Sequence, residues 1–511
     1  MSHDDLTPYD GTPLSRRRFL TLAGGAAGAL ALVRPAEALA QLPLATRERG
    51  AARANFVKLI AARTTIDLAG KPVKTWAYND AVPGPVLRVR AGETVRARVT
   101  NRLYDTTTVH WHGIALANPM DGVPDVTQRA IARGKSFDYE FVAPDPGTYF
   151  FHPHVGLQLD HGLYAPLIVD DPAEPGGYDK EWIIVLDDWT DGVGPSPATI
   201  LARLRKGKGM GMGSGMDMGS SKRSGMDMGG QGKSKARGSA MDSMMSDALG
   251  GMAGDVAYPL YLLNGRPPKD PQTFRAKRGQ RIRLRLINAG SDTAFRFAIG
   301  GHRLTVTHAD GFPVEPVETD AVLLGMGERI DAIVTCQGDA NPVVARAEGK
   351  GKAAHAVLRA GTGAIRRWKV PELNRQLVTV SDLVPGASAT LAPRAANRVH
   401  RLVLGGNDMS YRWTINGKAY NGDLDYAIAQ GDRVRIVFRN TSTMWHPMHL
   451  HGHTFAVMTN ETPGVRKDTV VVKPGDTVAV EFDADNPGSW MVHCHNTYHL
   501  EAGMMTTLRY T

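Results

Sequence analysis

Gly279-Gln-Arg-Ile-Arg-Leu-Arg-Leu-Ile-Asn288 is one of three near-copies of a single phrase in this 511-residue chain. The others are Gly92-Glu-Thr-Val-Arg-Ala-Arg-Val-Thr-Asn101 and Gly431-Asp-Arg-Val-Arg-Ile-Val-Phe-Arg-Asn440, and each follows an asparagine turn, Asn264-Gly265, Asn79-Asp80 and Asn416-Gly417 respectively. Such recurrence implies three copies of one domain rather than one large core. Apolar and basic residues alternate within each copy, the signature of a strand with one face buried and one wet. Runs such as Phe137-Asp-Tyr-Glu-Phe-Val142 and Asp468-Thr-Val-Val-Val472 extend the strand signal, while glycine and proline punctuate it. The predicted fold class is all-β, built of Greek-key β-sandwiches over residues 44–171, 178–362 and 368–511.

The last copy leads into His493-Cys494-His495-Asn-Thr-Tyr-His499-Leu-Glu-Ala-Gly-Met504. Successive side chains on a strand face opposite ways, so Cys494 can point to one metal centre while His493 and His495 point together to another. A soft thiolate, two imidazoles and a weak axial thioether make an electron-transfer copper, whereas structural zinc takes four firm ligands. Cys494, His499 and Met504 supply three of these. The missing imidazole is expected upstream in His446-Pro-Met-His449-Leu-His451-Gly-His453, as His446.

His449 and His451 share the period-two spacing of His493 and His495, and the same pattern recurs as His110-Trp-His112 and His152-Pro-His154. Four pairs give eight imidazoles, enough for three coppers held by three, three and two. Outside the N-terminal segment the remaining histidines, His161, His302, His308, His355, His400 and His453, are expected in packing or surface roles. His161 and His453 lie beside the ligand motifs and are the ones expected to brace them.

These four motifs resemble those of the multicopper oxidases, the family of laccases, bilirubin oxidases and bacterial cuprous oxidases, over roughly residues 45 to 511. The resemblance implies three cupredoxin-like domains and four copper ions. It places the type 1 copper on His446, Cys494, His499 and Met504, and the type 2 copper on His110 and His449. The type 3 pair falls on His112, His152, His154, His451, His493 and His495. It implies that a donor gives electrons singly to the Cys494 copper, that they pass to His493 or His495, and that dioxygen leaves as two waters. Asp121 matches the family's acid near the type 2 copper and is the first candidate for proton delivery. Some bacterial relatives carry glutamate directly after the last copper histidine; here Leu500 stands there and Glu501 follows, a second candidate relay if that segment is not strand-like.

The N-terminal run Ser15-Arg-Arg-Arg-Phe-Leu20, followed by a short apolar stretch and Ala38-Leu39-Ala40, resembles a twin-arginine export signal over residues 1–40. About 15 apolar residues is short for a membrane span of about 20, so no stable membrane insertion is expected after cleavage. The expected destination is periplasmic or extracytoplasmic, reached folded through the twin-arginine machinery. Only Cys336 and Cys494 exist, and Cys494 is committed to metal, so no disulfide contributes. Cys336 reads as a buried small hydrophobe. The balance of 60 Lys+Arg against 51 Asp+Glu carries no aromatic-interleaved basic stripe, which excludes nucleic acid as a partner. A monomer is expected.

Between Arg203 and Asp255 the composition turns to glycine, serine, lysine and methionine, with 10 of the chain's 20 methionines: Met210, Met212, Met216, Met218, Met226, Met228, Met241, Met244, Met245 and Met252. With almost no aromatic or β-branched residues it is expected to form no core and to be mobile. Thioethers prefer soft Cu(I), which makes the insert a candidate Cu(I)-collecting lid, similar to the methionine-rich segments of bacterial cuprous oxidases. The expected reaction is therefore Cu(I) oxidation coupled to dioxygen reduction, in copper tolerance. Laccase-type oxidation of a small phenolic donor is the alternative, and a non-catalytic copper-sequestering protein the second.

Overall fold

The three near-copies become three equivalent strands. In the computed structural model, which describes residues 56–174, 176–207, 244–365, 367–407 and 409–511, they are Thr94–Asn101, Arg281–Asn288 and Arg433–Asn440. Each pairs parallel with the opening strand of its own copy, Val57–Leu68, Lys180–Trp189 or Arg398–Asn407. Each also pairs antiparallel on its other edge, with Ser136–Val142, Arg329–Thr335 or Thr477–Asp483. Parallel neighbours require crossovers, so the chain passes between two sheets in each copy instead of meandering through one.

The asparagines explain why the phrase recurs. Asn79, Asn264 and Asn416 all sit at φ of 51–52°, a left-handed conformation that asparagine tolerates better than most residues. Each turns its side chain back onto the opening strand: Oδ1 accepts from the N–H of Ile60, Val185 or Val403 at 2.7 Å, and Nδ2 donates to the carbonyl of Lys58, Ile183 or Arg401. The closing residues Asn101, Asn288 and Asn440 likewise donate Nδ2 to two backbone carbonyls each. Buried backbone oxygens leaving a strand need such partners, and an amide supplies them from one side chain.

Among the described residues the strands form six sheets of four to six strands and a two-stranded ribbon. They stack as three sandwiches drawn from 57–170, 180–378 and 398–510. One apolar core fills the first, around Leu59, Val99, Trp111 and Phe151, and a larger one runs through the second and third. No described helix is long and apolar enough to cross a membrane.

Two expectations are corrected. The middle copy does not keep a wet face: Arg281–Asn288 is buried along seven of its eight residues. The first sandwich packs on its basic face, where Arg285 meets Glu181 at 2.6 Å and Thr148 Oγ1 at 2.9 Å, and Arg283 pairs with Asp331 and Glu174. The insert, in turn, is not coreless throughout. Met245–Ser246 and Gly251–Met252 pair as a ribbon, Met252 bridges to Met444, and Leu249 and Ala253 pack on Trp445. Two apolar residues and a tight turn suffice when a neighbouring sandwich supplies the rest of the core. Residues 1–40 and Met210, Met212, Met216, Met218, Met226, Met228 and Met241 lie outside the described residues.

Candidate metal centre

Strand geometry places the C-terminal ligands. Cys494 ends Ser489–Cys494, which pairs with His446–Leu450 in a register that sets Met448 opposite Cys494 and His449 opposite His493. The chain then turns into the short helix Thr497–Glu501, started by Asn496, whose Oδ1 accepts from the N–H of Tyr498 and of His499. That turn swings His499 back: its Nδ1 lies 3.5 Å from Cys494 Sγ and 3.1 Å from His446 Nδ1, with His446 Nδ1 3.6 Å from the sulfur. Met504, fully buried, follows directly, its N–H donating to the His499 carbonyl and its own carbonyl accepting from the Cys494 N–H.

Both imidazoles are held from behind. His446 Nε2 meets Ser442 Oγ at 2.8 Å, and His499 Nε2 donates to Asp255 Oδ2 at 2.9 Å. Tyr411 donates to the same carboxylate, and Trp413 lies against both rings. Burial and the adjacent His499 push His446 well below the ordinary imidazole range. Burial acts the same way on His499, but the Cys494 sulfur and Asp255 outweigh it and draw the ring up to about 10. Where three ligand atoms converge, the surroundings call for positive charge.

The eight paired histidines converge on one buried cage between the first and third sandwiches. His112, His152 and His495 form one triad, and His154, His451 and His493 another. His110 and His449 face each other through Nε2 atoms 3.4 Å apart. Most rings are fixed from outside the cage: His110 Nδ1 donates to the Asp121 carbonyl, His451 Nδ1 to Asp121 Oδ2 at 2.9 Å, and His449 Nδ1 to the Asp468 carbonyl. His112 is held through Nε2 by Asp468 Oδ1 at 3.0 Å. Outward nitrogens that donate leave inward nitrogens with lone pairs.

Those lone pairs are the test of fit. His112 Nδ1, His152 Nε2, His154 Nε2 and both nitrogens of His495 are buried with no hydrogen-bond partner, and His451 Nε2 faces His493 Nε2 at 3.0 Å. Burial pushes all six of these rings well below the ordinary imidazole range, which keeps them neutral. Facing acceptors in a dry cavity are costly unless a cation sits between them. Two bonds of about 2.0–2.3 Å opening at roughly 110° leave their outer ends about 3.3–3.5 Å apart, close to the spacings at both sites. The donor sets suit copper: one thiolate with imidazoles at one site, imidazoles alone at the other.

Among the described residues the middle sandwich contributes no ligand to either cluster, but it touches both sites. Arg329 clamps Asp468 through both terminal nitrogens, at 2.8 and 2.5 Å. Gly327, at φ of 84°, lies so close that a Cβ there would meet His495 at 2.9 Å and His112 at 3.0 Å. Asp468, Arg329, Asp255 and Ser442 were not singled out in the sequence. Asp468 begins the valine run, and an acid opening a buried strand was the one available signal. Asp255 was hidden as the last residue of a segment read as mobile. Glu501 is not brought into the cage: it ends the helix, its carbonyl accepts from Arg205, and burial raises its carboxyl. His453 meets Tyr510 at 2.8 Å and His161 meets Asp191 at 2.7 Å.

A mononuclear Cys–His site joined through one cysteine to an eight-histidine cage defines a copper oxidase, and the chain belongs to the multicopper oxidase family. Models of that family match residues 60–174, 180–365 and 394–511. The chain is similar to Multicopper oxidase MmcO of Mycobacterium tuberculosis, 45% identical over 513 residues covering 98% of each chain. It is 28% identical over 613 residues to Copper resistance protein A of Escherichia coli, covering 97% of this chain and 99% of that one. The crystal structure of a multi-copper oxidase from Pseudomonas thermotolerans matches with a TM-score of 0.66 and 26% identity, over 89% of this chain and 99% of that chain. The enzyme's cofactor complement is four copper ions, one type 1, one type 2 and two type 3.

Proposed function

We propose that the enzyme's electron donor is Cu(I) and that its role is copper tolerance outside the cytoplasm. The observation that carries this is Asp255: a carboxylate bonded to His499 Nε2 at 2.9 Å, three residues beyond the end of the methionine ribbon at Met252. A negative side chain behind the outer imidazole favours a cationic donor over a neutral phenol. Met245, paired with Met252 across the ribbon, is 54% exposed and presents a thioether, a ligand that suits Cu(I), to solvent. Relatives named as copper resistance proteins support the same reading.

In this reading His446, Cys494, His499 and Met504 hold the type 1 copper, His110 and His449 the type 2 copper, and the two triads the type 3 pair. Bound copper supplies the redox chemistry, one-electron uptake at the single site and four-electron reduction of dioxygen at the cage. Cys494 carries the link, since its sulfur belongs to one site and the imidazoles of its two neighbours to the other. Asp121 orients His110 and His451 and is the carboxylate from which a proton reaches the cage. Asp468, fixed by Arg329, keeps the rings of His112 and His449 turned inward. Glu501 joins none of the metal-binding groups among the described residues, and this reading gives it no part in the relay. The domain limits 44–171, 178–362 and 368–511, export through the twin-arginine signal at 1–40, and a monomeric state belong to the same proposal. The methionines from Met210 to Met241 extend the thioether supply.

Oxygen uptake with Cu(I) and with 2,6-dimethoxyphenol, before and after deleting residues 208–243, tests the donor. Cu(I) is expected to be the better donor and to lose rate on deletion. A phenol that is better throughout, with a Cu(I) rate indifferent to the deletion, makes the enzyme a laccase instead.

A further inference from the structure

A cavity of about 710 Å³ opens between the first and second sandwiches, away from both copper sites and lined by none of their ligands. Its floor is apolar. Leu68 comes from the hairpin between Val57–Leu68 and Lys71–Tyr78, Leu260 and Tyr261 from Leu260–Leu263, and Val344 from Ala340–Ala347. Val193 and Trp368, two of the chain's exposed large hydrophobics at 36% and 37%, stand at its rim. Trp368 is held flat: its ring stacks on His355 with centroids 4.5 Å apart and planes 6° from parallel. A flat indole backed on one side and open on the other suits a second aromatic ring.

The charge lining this cavity is of one sign. Lys71, Lys269, Arg346 and Lys352 all face it, and among the described residues no aspartate or glutamate does. Lys71 donates to the Gly192 carbonyl and Lys352 to those of Tyr258 and Pro259, so their hydrogen bonds go to neutral oxygens. Arg346 donates to Asn374 Oδ1 and the Leu373 carbonyl; its nearest carboxylate, Glu348, lies 3.9 Å off and is already doubly bonded to Arg296. Lys269 is exposed and has no polar partner among the described residues. Apolar walls of this volume with a few convergent polar groups are the usual make-up of a small-molecule site, and two packed domains are a usual place for one.

We infer that this cavity is a binding site for a small amphipathic anion, an aromatic carboxylate whose ring stacks on Trp368 and whose charge is met by Lys352, Arg346 and Lys269. A neutral aromatic of the same shape gains the stacking and loses the charge pairing. The ligand spans two sandwiches, so binding stabilises their contact without touching copper.

The test is calorimetric titration of the copper-loaded enzyme with 2-naphthoate and with 2-naphthylmethanol, which share a ring system and differ in charge. Naphthoate is expected to bind about tenfold tighter or better, and only its affinity is expected to fall with added salt. Lys269→Gln combined with Lys352→Gln should bring naphthoate down to the affinity of the alcohol, with the blue absorption intact. Trp368→Leu should weaken both ligands about fivefold. If the double variant loses its blue absorption, Lys269→Gln alone, at an exposed side chain, should still weaken naphthoate about threefold. Equal affinities for acid and alcohol, no binding of either, or naphthoate binding that ignores the charge and tryptophan variants each overturn the inference.

Discussion

The three-copper cage and the one-copper site share a strand end, yet they are built on opposite plans. The cage draws His110, His112, His152 and His154 from one end of the chain and four more histidines from the other. The single site draws His446, Cys494 and His499 from one stretch of the third sandwich. Bracing reverses the pattern. Asp121 and Asp468 brace the cage from within the two sandwiches that supply its ligands, with Arg329 behind Asp468, whereas Asp255 reaches the single site from the segment that follows the methionine ribbon. The cage is thus a product of assembly and the single site a product of local folding. The carboxylate behind His499 is borrowed from outside the third sandwich.

Cys494→Ser breaks the comparison most sharply. Copper content should fall from four ions to three, with the blue absorption and oxygen uptake abolished and the cage ions retained; loss of cage copper as well would mean the two sites are not independent. Chelation of all copper comes next. Each ion held at a thousandfold above its dissociation constant contributes about 4 kcal/mol to the folded state alone. Calorimetry should therefore show a far larger fall in Tm for the apoprotein than for Cys494→Ser, because of the two copper sites only the cage takes ligands from both the first and the third sandwich.

Paired carboxamide variants sharpen the contrast further. Asp468→Asn should lower oxygen uptake about 10–100-fold while the blue absorption stays. Asp255→Asn should instead raise the KM for Cu(I) and shift the potential read by titration of the blue band, with cage copper content unchanged. The smallest effect lies between the sandwiches. Burial alone would raise the Asp331 carboxyl, but Arg283 and Arg285 override it and hold it at about 2 against an ordinary 3.8. A depressed carboxyl stabilises the fold above its unfolded value, so about 2 kcal/mol is present above pH 4 and is lost as pH falls toward 2. Thermal melts of the apoprotein over that range should show the loss, and Asp331→Asn should flatten the profile.

The sequence made the β-architecture plain because its signals are local and repeated. An asparagine turn, then a glycine with a second asparagine nine residues after it, recurs three times, and the turn asparagine makes the same two hydrogen bonds each time. His-x-His pairs were readable because period two puts both rings on one face. What stayed hidden depends on contacts distant in the chain. Nothing near Asp255 announces His499, 244 residues away, and nothing near Arg329 announces Asp468. Arg283 and Arg285 looked like the wet side of a strand because solvent and a packed carboxylate call for the same residue type. The short ribbon Met245–Ser246 and Gly251–Met252 was missed because its core belongs to Trp445 and Met444.

Dividing the cage between the chain's ends also sets a timetable. His112 and Asp468 are 356 residues apart, an interval that synthesis at 5–20 residues per second covers in roughly 20–70 s. Through that interval the four imidazoles of the first sandwich stand without their partners, and no triad is complete until His493 and His495 have emerged. A nascent or truncated chain can therefore offer a passing metal ion only partial coordination. Full copper loading becomes a report that translation has passed His499 and that the two halves of the cage have met.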